Sequence, residues 1–385
     1  MNVVVKIGSS SVTAPGGEVD VVAVKKLCGE VAGFAKGGHR VVVVSSGAIA
    51  AGRAVLAGSA SGAPPAPVGA APAPVGAAPA PANAPVDLAT LQAVSAVGQS
   101  RLMGVYDQAL TAHGLVAGQV LLAPLDFVHR GQYLRARKTL TRLVDLGVVP
   151  IVNENDAVAD EEIRFGDNDR LAALVAHLVR AELLLLLTDT AGLMTVDPRV
   201  DGGGTLIEEV VEIDHALEAV AGGPGSAVGS GGMASKLAAA KIAAWSGIRT
   251  VIAAAGRADV VASAAAGDPS VGTTIPPRAV RLSARKLWIA FAVAPSGTVV
   301  VDEGARHALA EGGRSLLSAG VVSITGDFDV DDAVEVAGPD GVVFAKGIVR
   351  LPAARAAQWM GKRSSDVPAD LANEVVHRDD LVVVP

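Results

Sequence analysis

The apolar run Val3–Val5 leads directly into Lys6-Ile7-Gly8-Ser9-Ser10. A lysine at the carboxyl end of a buried strand, followed by glycine and two hydroxyls, has the parts of an oxyanion site. The glycine lets backbone N–H groups approach a ligand, and the ammonium supplies charge. A second run ends in the same way, in Ser45-Ser46-Gly47-Ala48, with a helix start aimed at the same edge. Much later, Gly229-Ser230-Gly231-Gly232-Met233-Ala234-Ser235-Lys236 opens a helix. Its small residues offer a chain of N–H donors, and Lys236 in the first turn adds a cation where phosphate oxygens would sit. The spacing is not that of a Walker A loop, and no strand directly precedes it.

Two acidic clusters complete the set. Asn153-Glu154-Asn155-Asp156 ends another apolar run, and Gly166-Asp167-Asn168-Asp169 opens a helix. Taken singly, such clusters are ordinary turn and cap residues. A third turn, Thr188-Asp189-Thr190, leaves the run Leu183–Leu187, and Asp197-Pro198-Arg199 follows it. Two lysines, paired acidic turns and a Thr-Asp turn on one sheet edge describe a site for an anionic ligand rather than scattered punctuation.

The elements that must hold these groups alternate. Strands are expected at Val3–Val5, Val41–Val44, Val116–Leu122, Val148–Val152, Leu183–Leu187 and Thr250–Ala254, apolar throughout as in a sheet buried on both faces. Helical periodicity covers Val21–Phe34, Leu88–Ala112, Gln132–Leu146, Asp169–Arg180 and Ala234–Trp245, with Asp87, Asp169 and Asp214 as N-caps or first-turn acids. That alternation predicts an α/β fold, a parallel sheet with helices on both faces. After Thr274 come Ile275-Pro276-Pro277 and a basic stretch, and then short runs at Trp288–Ala292, Thr298–Val301, Val321–Thr325, Ala333–Val336, Val342–Val349 and Leu381–Val384. These read as strands of a small, mostly β domain, giving domains of 1–278 and 279–385. About residues 60–85 form an Ala/Pro-rich insertion with a seven-residue repeat, Pro65–Ala71 and again Pro72–Ala78. Its prolines exclude a coiled coil and favour a polyproline-like surface loop.

Composition sets the outer limits. At 385 residues two domains are expected, and with 50% hydrophobic but only 3% aromatic residues the core must be Ala, Val and Leu. A net charge of −7 argues against a polyanion as main partner. The single cysteine, Cys28, excludes an internal disulfide or a Cys-built zinc site and fits a reducing cytoplasm. No apolar stretch has the length of a membrane span, so no membrane partner is expected.

The motifs Lys6–Ser10, Ser45–Gly52, Val97-Gly98-Gln99-Ser100, Asn153–Asp156, Gly166–Asp169, Leu187–Asp189 and Gly231–Lys236, in this order, resemble the bacterial glutamate 5-kinase branch of the amino acid kinase family. The tail, with Val301–Gly304 and His377–Asp380, is similar to a PUA domain. The resemblance implies a three-layer αβα sandwich and transfer of a phosphoryl group from ATP, with Mg²⁺, to the side-chain carboxylate of L-glutamate. It further implies that Lys6, Lys236 and Asp169 are catalytic, Asp169 orienting the two lysines. Lys6, Gly8, Thr188, Asp189 and the segment Ser230, Gly231, Gly232, Met233, Ala234, Ser235 and Lys236 bind nucleotide in that scheme. Ser46, Gly47, Asp156, Asp167 and Asn168 bind glutamate, and no protein metal site is expected. Proline as feedback inhibitor and a homo-oligomer, dimer or tetramer, are implied by the resemblance alone. From residue 279 onward there are 11 Lys and Arg against 14 Asp and Glu, which argues against RNA binding by the C-terminal domain.

Overall fold

The computed structural model describes residues 1–60, 87–123, 125–158, 168–196, 204–213, 217, 232–279, 281–291, 293, 295–366 and 374–383. The repeat insertion, Gly166, Asp167, Asp197–Arg199, Asp214 and Gly229–Gly231, Ser230 among them, lie outside the described residues. The chain divides into two compact units, Met1–Val280 and Arg281–Pro385.

In the first unit the elements run β1 (Asn2–Ile7), α1 (Ser9–Val12), α2 (Val21–Lys36), β2 (Arg40–Val44), α3 (Ala48–Ala60), α4 (Leu88–Thr111), β3 (Val116–Leu122), α5 (Leu125–Val128), α6 (Arg130–Asp145), β4 (Val148–Glu154), α7 (Asn168–Leu178), β5 (Leu183–Thr188), α8 (Met233–Trp245), β6 (Arg249–Ala254), α9 (Val260–Ala266) and β7 (Gly272–Ile275). The seven strands pair in the order β3-β4-β2-β1-β5-β6-β7. All pairs are parallel except β6 with β7, an antiparallel edge absent from the sequence expectation. Connections from β1 and β2 leave toward β3, and those from β4 and β5 leave toward β6. The carboxyl ends of β1 and β5 therefore flank the point where the winding reverses, where open α/β sheets bind ligands.

The strand period of two assigns the layers. Val3, Val5 and Ile7 pack with Val24, Leu27 and Val31 of α2, Leu102 and Tyr106 of α4, and Val260 and Val261 of α9. Val4 and Lys6 alternate with them and so point to the opposite face, where α7 packs on β1 and α8 packs on α7. The result is the expected three-layer sandwich. Cys28 belongs to the α2 layer, and burial pushes its thiol up to about 12, leaving it a neutral packing group.

Helices α3 and α4 meet through glycines. A Cβ on Gly98 would lie 1.7 Å from the Ala48 carbonyl oxygen, and one on Gly52 would lie 1.9 Å from that of Val94. Both obstacles are backbone, so no rotamer change relieves them. Gly98→Ala is expected to destabilise the unit by about 3 kcal/mol, at the upper end of overpacking costs, and to lower the thermal midpoint by roughly 6–12 °C. An unchanged midpoint in calorimetry would mean that the two helices do not meet this closely.

The second unit contains α10 (Ala284–Phe291), β8 (Gly297–Val301), α11 (Glu303–Ala310), β9 (Leu316–Leu317), β10 (Val321–Gly326), β11 (Ala333–Ala337), β12 (Val343–Val349), α12 (Ala353–Trp359) and β13 (Glu374–Val383). Its six strands lie in the order β10-β8-β11-β12-β13-β9 around a core that includes Val299, Val334, Val336 and Val376. The expected strand Trp288–Ala292 is instead helical through Phe291. A continuous apolar run does not distinguish a buried strand from a buried helix. What decides here is the preceding Ser283, whose backbone carbonyl accepts from the Leu287 N–H and whose hydroxyl accepts from the Lys286 N–H.

Candidate active site

Three fully buried charges lie together on the face of β1 that carries Lys6. The Lys6 Nζ stands 2.5 Å from Asp169 Oδ1, and the Lys236 Nζ stands 3.1 Å from Asp169 Oδ2. Exposure is 2% for Lys6, 3% for Lys236 and 0% for Asp169. They come from the end of β1 and the first turns of α7 and α8, so the meeting requires the sheet to be formed and both helices to be seated. Ser235 adds a hydroxyl donor to Asp169 Oδ2 at 2.9 Å. Burial alone would raise the Asp169 pKa, but the ammonium groups of Lys6 and Lys236 outweigh it and hold the carboxyl below its ordinary value. The arrangement sets two ammonium groups against one carboxylate in a buried place, an electrostatic setting suited to an incoming anion.

Around this centre stand the groups expected to meet nucleotide. The chain turns at Gly8 into the short α1, with an ordinary backbone φ of −77°. A Cβ there would make ordinary van der Waals contact with the Lys6 Nζ at 3.8 Å and the Leu187 carbonyl oxygen at 3.9 Å, so the Gly8 backbone lies directly beside that ammonium. The N-cap of α8 is Gly232, which has no side-chain acceptor, and Met233, Ala234 and Ser235 form the first turn. Thr188, at the end of β5 beside β1, donates to Asp189 Oδ1 at 3.0 Å.

The remaining expected residues gather beyond the neighbouring strand ends. Asn168 donates from Nδ2 to Ser46 Oγ at 2.9 Å and to Asn153 Oδ1 at 3.0 Å. Asn153 donates in turn to Gln99 Oε1 at 2.8 Å. Asp156 accepts from Ser95 Oγ at 2.7 Å. Gly47 holds a φ of +97°, a left-handed conformation that glycine adopts without penalty, and a side chain there would press on Val12 and Thr13. The structure thus brings together Lys6, Asp169, Ser235 and Lys236 in one cluster and Ser46 and Asn168 in another, joined by the chain bond between Asn168 and Asp169. Asp156 belongs with Ser95 of α4. Among the described residues no group of three His, Cys, Asp or Glu gathers in metal-binding fashion.

One face of α4 supports these loops, and of its polar residues only Gln99, within the motif Val97–Ser100, stands out in the sequence; Ser95 and Tyr106 do not. Ser95, Gln99 and Tyr106 recur at helical spacing on α4 and are all buried; Ser95 and Gln99 bond the Asn153–Asp156 segment, and Tyr106 bonds the turn at Ser45. Tyr106 is fully buried, and its hydroxyl lies 2.9 Å from the Ser45 Oγ, fixing the turn that presents Ser46. Burial pushes its pKa up, so the phenol stays protonated. A tyrosine within an aliphatic stripe, in a chain with two tyrosines, was the available signal. Tyr106→Phe is expected to cost about 1 kcal/mol in stability and to raise the acceptor KM a few-fold with little change in ATP KM. Steady-state kinetics with each substrate varied in turn would check that split.

Comparison with known proteins covers both units. The model of the amino acid kinase family matches residues 1–254, and that of the PUA domain matches residues 297–371. The chain is 42% identical to the glutamate 5-kinase of Geobacter sp. (strain M21), over 99% of this chain and 97% of that protein. It is 43% identical to the glutamate 5-kinase of Mycobacterium avium (strain 104), over 100% and 97%. Among solved structures, the UMP kinase of Bacillus anthracis is similar with a TM-score of 0.44 at 13% identity, covering 72% of this chain and 96% of its own. The first unit carries the buried Lys-Asp-Lys cluster at the sheet's switch point and the second the PUA match: the chain belongs to the amino acid kinase family, in its glutamate 5-kinase branch.

Proposed function

We propose that the protein transfers the γ-phosphoryl group of ATP to the side-chain carboxylate of L-glutamate, giving L-glutamyl 5-phosphate and ADP, the first step of proline biosynthesis. The observation that carries this reading is the pairing of two buried lysines with one carboxylate at the carboxyl ends of the central strands. Free glutamate has a side-chain pKa of about 4.3, so the nucleophile is already ionised at neutral pH and needs no protein base. The work left to the protein is to bring two anions into line and to screen the charge on the moving phosphoryl group.

Lys6 and Lys236 do the screening. The carboxylate oxygen attacks the γ-phosphorus while the bond to the β,γ-bridging oxygen breaks and its electrons leave with ADP, and both ammonium groups stay on the transferring oxygens. Asp169 spaces the lysines, and because its carboxyl is held below the ordinary value it remains an anion throughout. The segment Ser230–Ser235 and Gly8 cradle the phosphates, and Thr188 and Asp189 border the nucleotide. Ser46, Gly47, Asp156, Asp167 and Asn168 receive glutamate. Mg²⁺ would enter with the nucleotide, held mainly by its phosphates, since among the described residues no three His, Cys, Asp or Glu gather to hold it; it would supply further positive charge beside Lys6 and Lys236.

Proline as a competitor for the glutamate subsite, a dimeric or tetrameric assembly, and a cytoplasmic setting belong to the same reading. Among the described residues no helix is long and apolar enough to cross a membrane. The test is hydroxamate trapping of the acyl phosphate with glutamate, N-acetylglutamate and aspartate, with and without proline. Product from glutamate alone, suppressed by proline, is expected; product from N-acetylglutamate alone would overturn the acceptor assignment.

A further inference from the structure

A chain of carboxamides fixes the orientation of Gln99. The backbone N–H of Glu154 donates to Asn153 Oδ1 at 2.9 Å, and a backbone donor cannot reverse its role. Asn153 must then present its Nδ2 to Gln99, so Gln99 answers with Oε1 and its Nε2 donor is left over. By the same logic Asn168 gives its Nδ2 to Asn153 Oδ1, and its Oδ1 acceptor is left over. Gln99 is 7% exposed, and both leftover atoms are buried without a hydrogen-bond partner among the described residues. A buried amide donor left unmet is costly, so a site that keeps one has a use for it.

We infer that Gln99 is a specificity-determining residue whose Nε2 donates to the α-carboxylate of the amino-acid acceptor. The inference rests on the proposed glutamate kinase reading. Glutamate carries two carboxylates, and the reacting one must lie beside Lys6 and Lys236. Asn168 adjoins Asp169 in the chain, while Gln99 stands two hydrogen bonds further along the relay, beyond Asn153. The leftover donor therefore stands where the other end of the acceptor must lie. The two leftover atoms, one donor and one acceptor, match an α-carboxylate with its neighbouring ammonium.

The test compares L-glutamate with its α-carboxamide, which keeps the reacting side-chain carboxylate. Wild type should prefer glutamate strongly. In Gln99→Glu a carboxylate would repel the α-carboxylate and accept from the α-carboxamide. The ratio of kcat/KM for glutamate to that for the amide should fall by about tenfold or more, with ATP KM unchanged. Gln99→Met, which removes the donor at similar volume, should also lower the ratio, and it carries the test should the Glu variant fail to fold. Thermal midpoints of both are measured alongside. If both substrates weaken equally in the folded variants, Gln99 only supports Asn153 and the inference is overturned while the glutamate reading stands. Lack of wild-type turnover of glutamate overturns both.

Discussion

Lys236→Ala is expected to lower kcat by about 10²–10³-fold, the usual cost of removing one preorganised group that stabilises transition-state charge. The ammonium is 3% exposed and 3.1 Å from Asp169 Oδ2, so water does not readily take its place. The loss should fall mainly on kcat, because charge on the phosphoryl oxygens shifts during transfer while the acceptor's contacts near Ser46 and Asn168 are untouched. Folding should suffer little, since Asp169 keeps Lys6 and Ser235. Lys236→Arg should recover only part of the rate, because a planar guanidinium does not reproduce the point charge of an ammonium. Near-normal turnover of Lys236→Ala in the hydroxamate assay would remove this lysine from the transition state.

How far such a site can be read from sequence depends on where its information lies. Lys6, Ser46 and Thr188 were legible because each ends or follows an apolar run, and a parallel sheet places all such ends on one edge. That Asp169 would meet both lysines came from the family resemblance. Physically it follows from strand alternation, which turns Lys6 toward α7, and from helix packing that no local pattern encodes. The antiparallel β7 was missed because Gly272–Ile275 is four residues long and its identity as a strand comes from pairing with β6. The helix Ala284–Phe291 was misread because its apolar run fits either period. The rest of the α4 stripe escaped for a different reason: Gln99 stood in the motif Val97–Ser100, but Ser95 and Tyr106 look like tolerated polar positions in a helix until their partners, distant in sequence, are known.

Asp169→Asn separates the structural from the catalytic use of the cluster. Removing the shared carboxylate leaves two buried ammonium groups facing each other, and breaking a buried ion pair in this way costs about 3–5 kcal/mol. Because the folded pKa of Asp169 is lowered, its contribution to stability is fully present above the unfolded value near 3.9 and is lost as pH falls through the depressed folded value. The stability gap between wild type and variant should therefore be widest near neutral pH and should narrow in acid, which thermal unfolding across pH 3–7 would measure. Nucleotide should reverse the defect in part. Its phosphates would supply the negative charge that the substituted side chain lacks, so ATP should raise the thermal midpoint of the variant more than that of wild type. Turnover moves the other way. Without Asp169 to space them, Lys6 and Lys236 repel and leave the positions from which they screen the phosphoryl group, and kcat should fall by at least about 10²-fold. Tight nucleotide binding with little turnover would identify Asp169 as the group that positions the lysines, whereas a parallel loss of both would make it part of the nucleotide site itself.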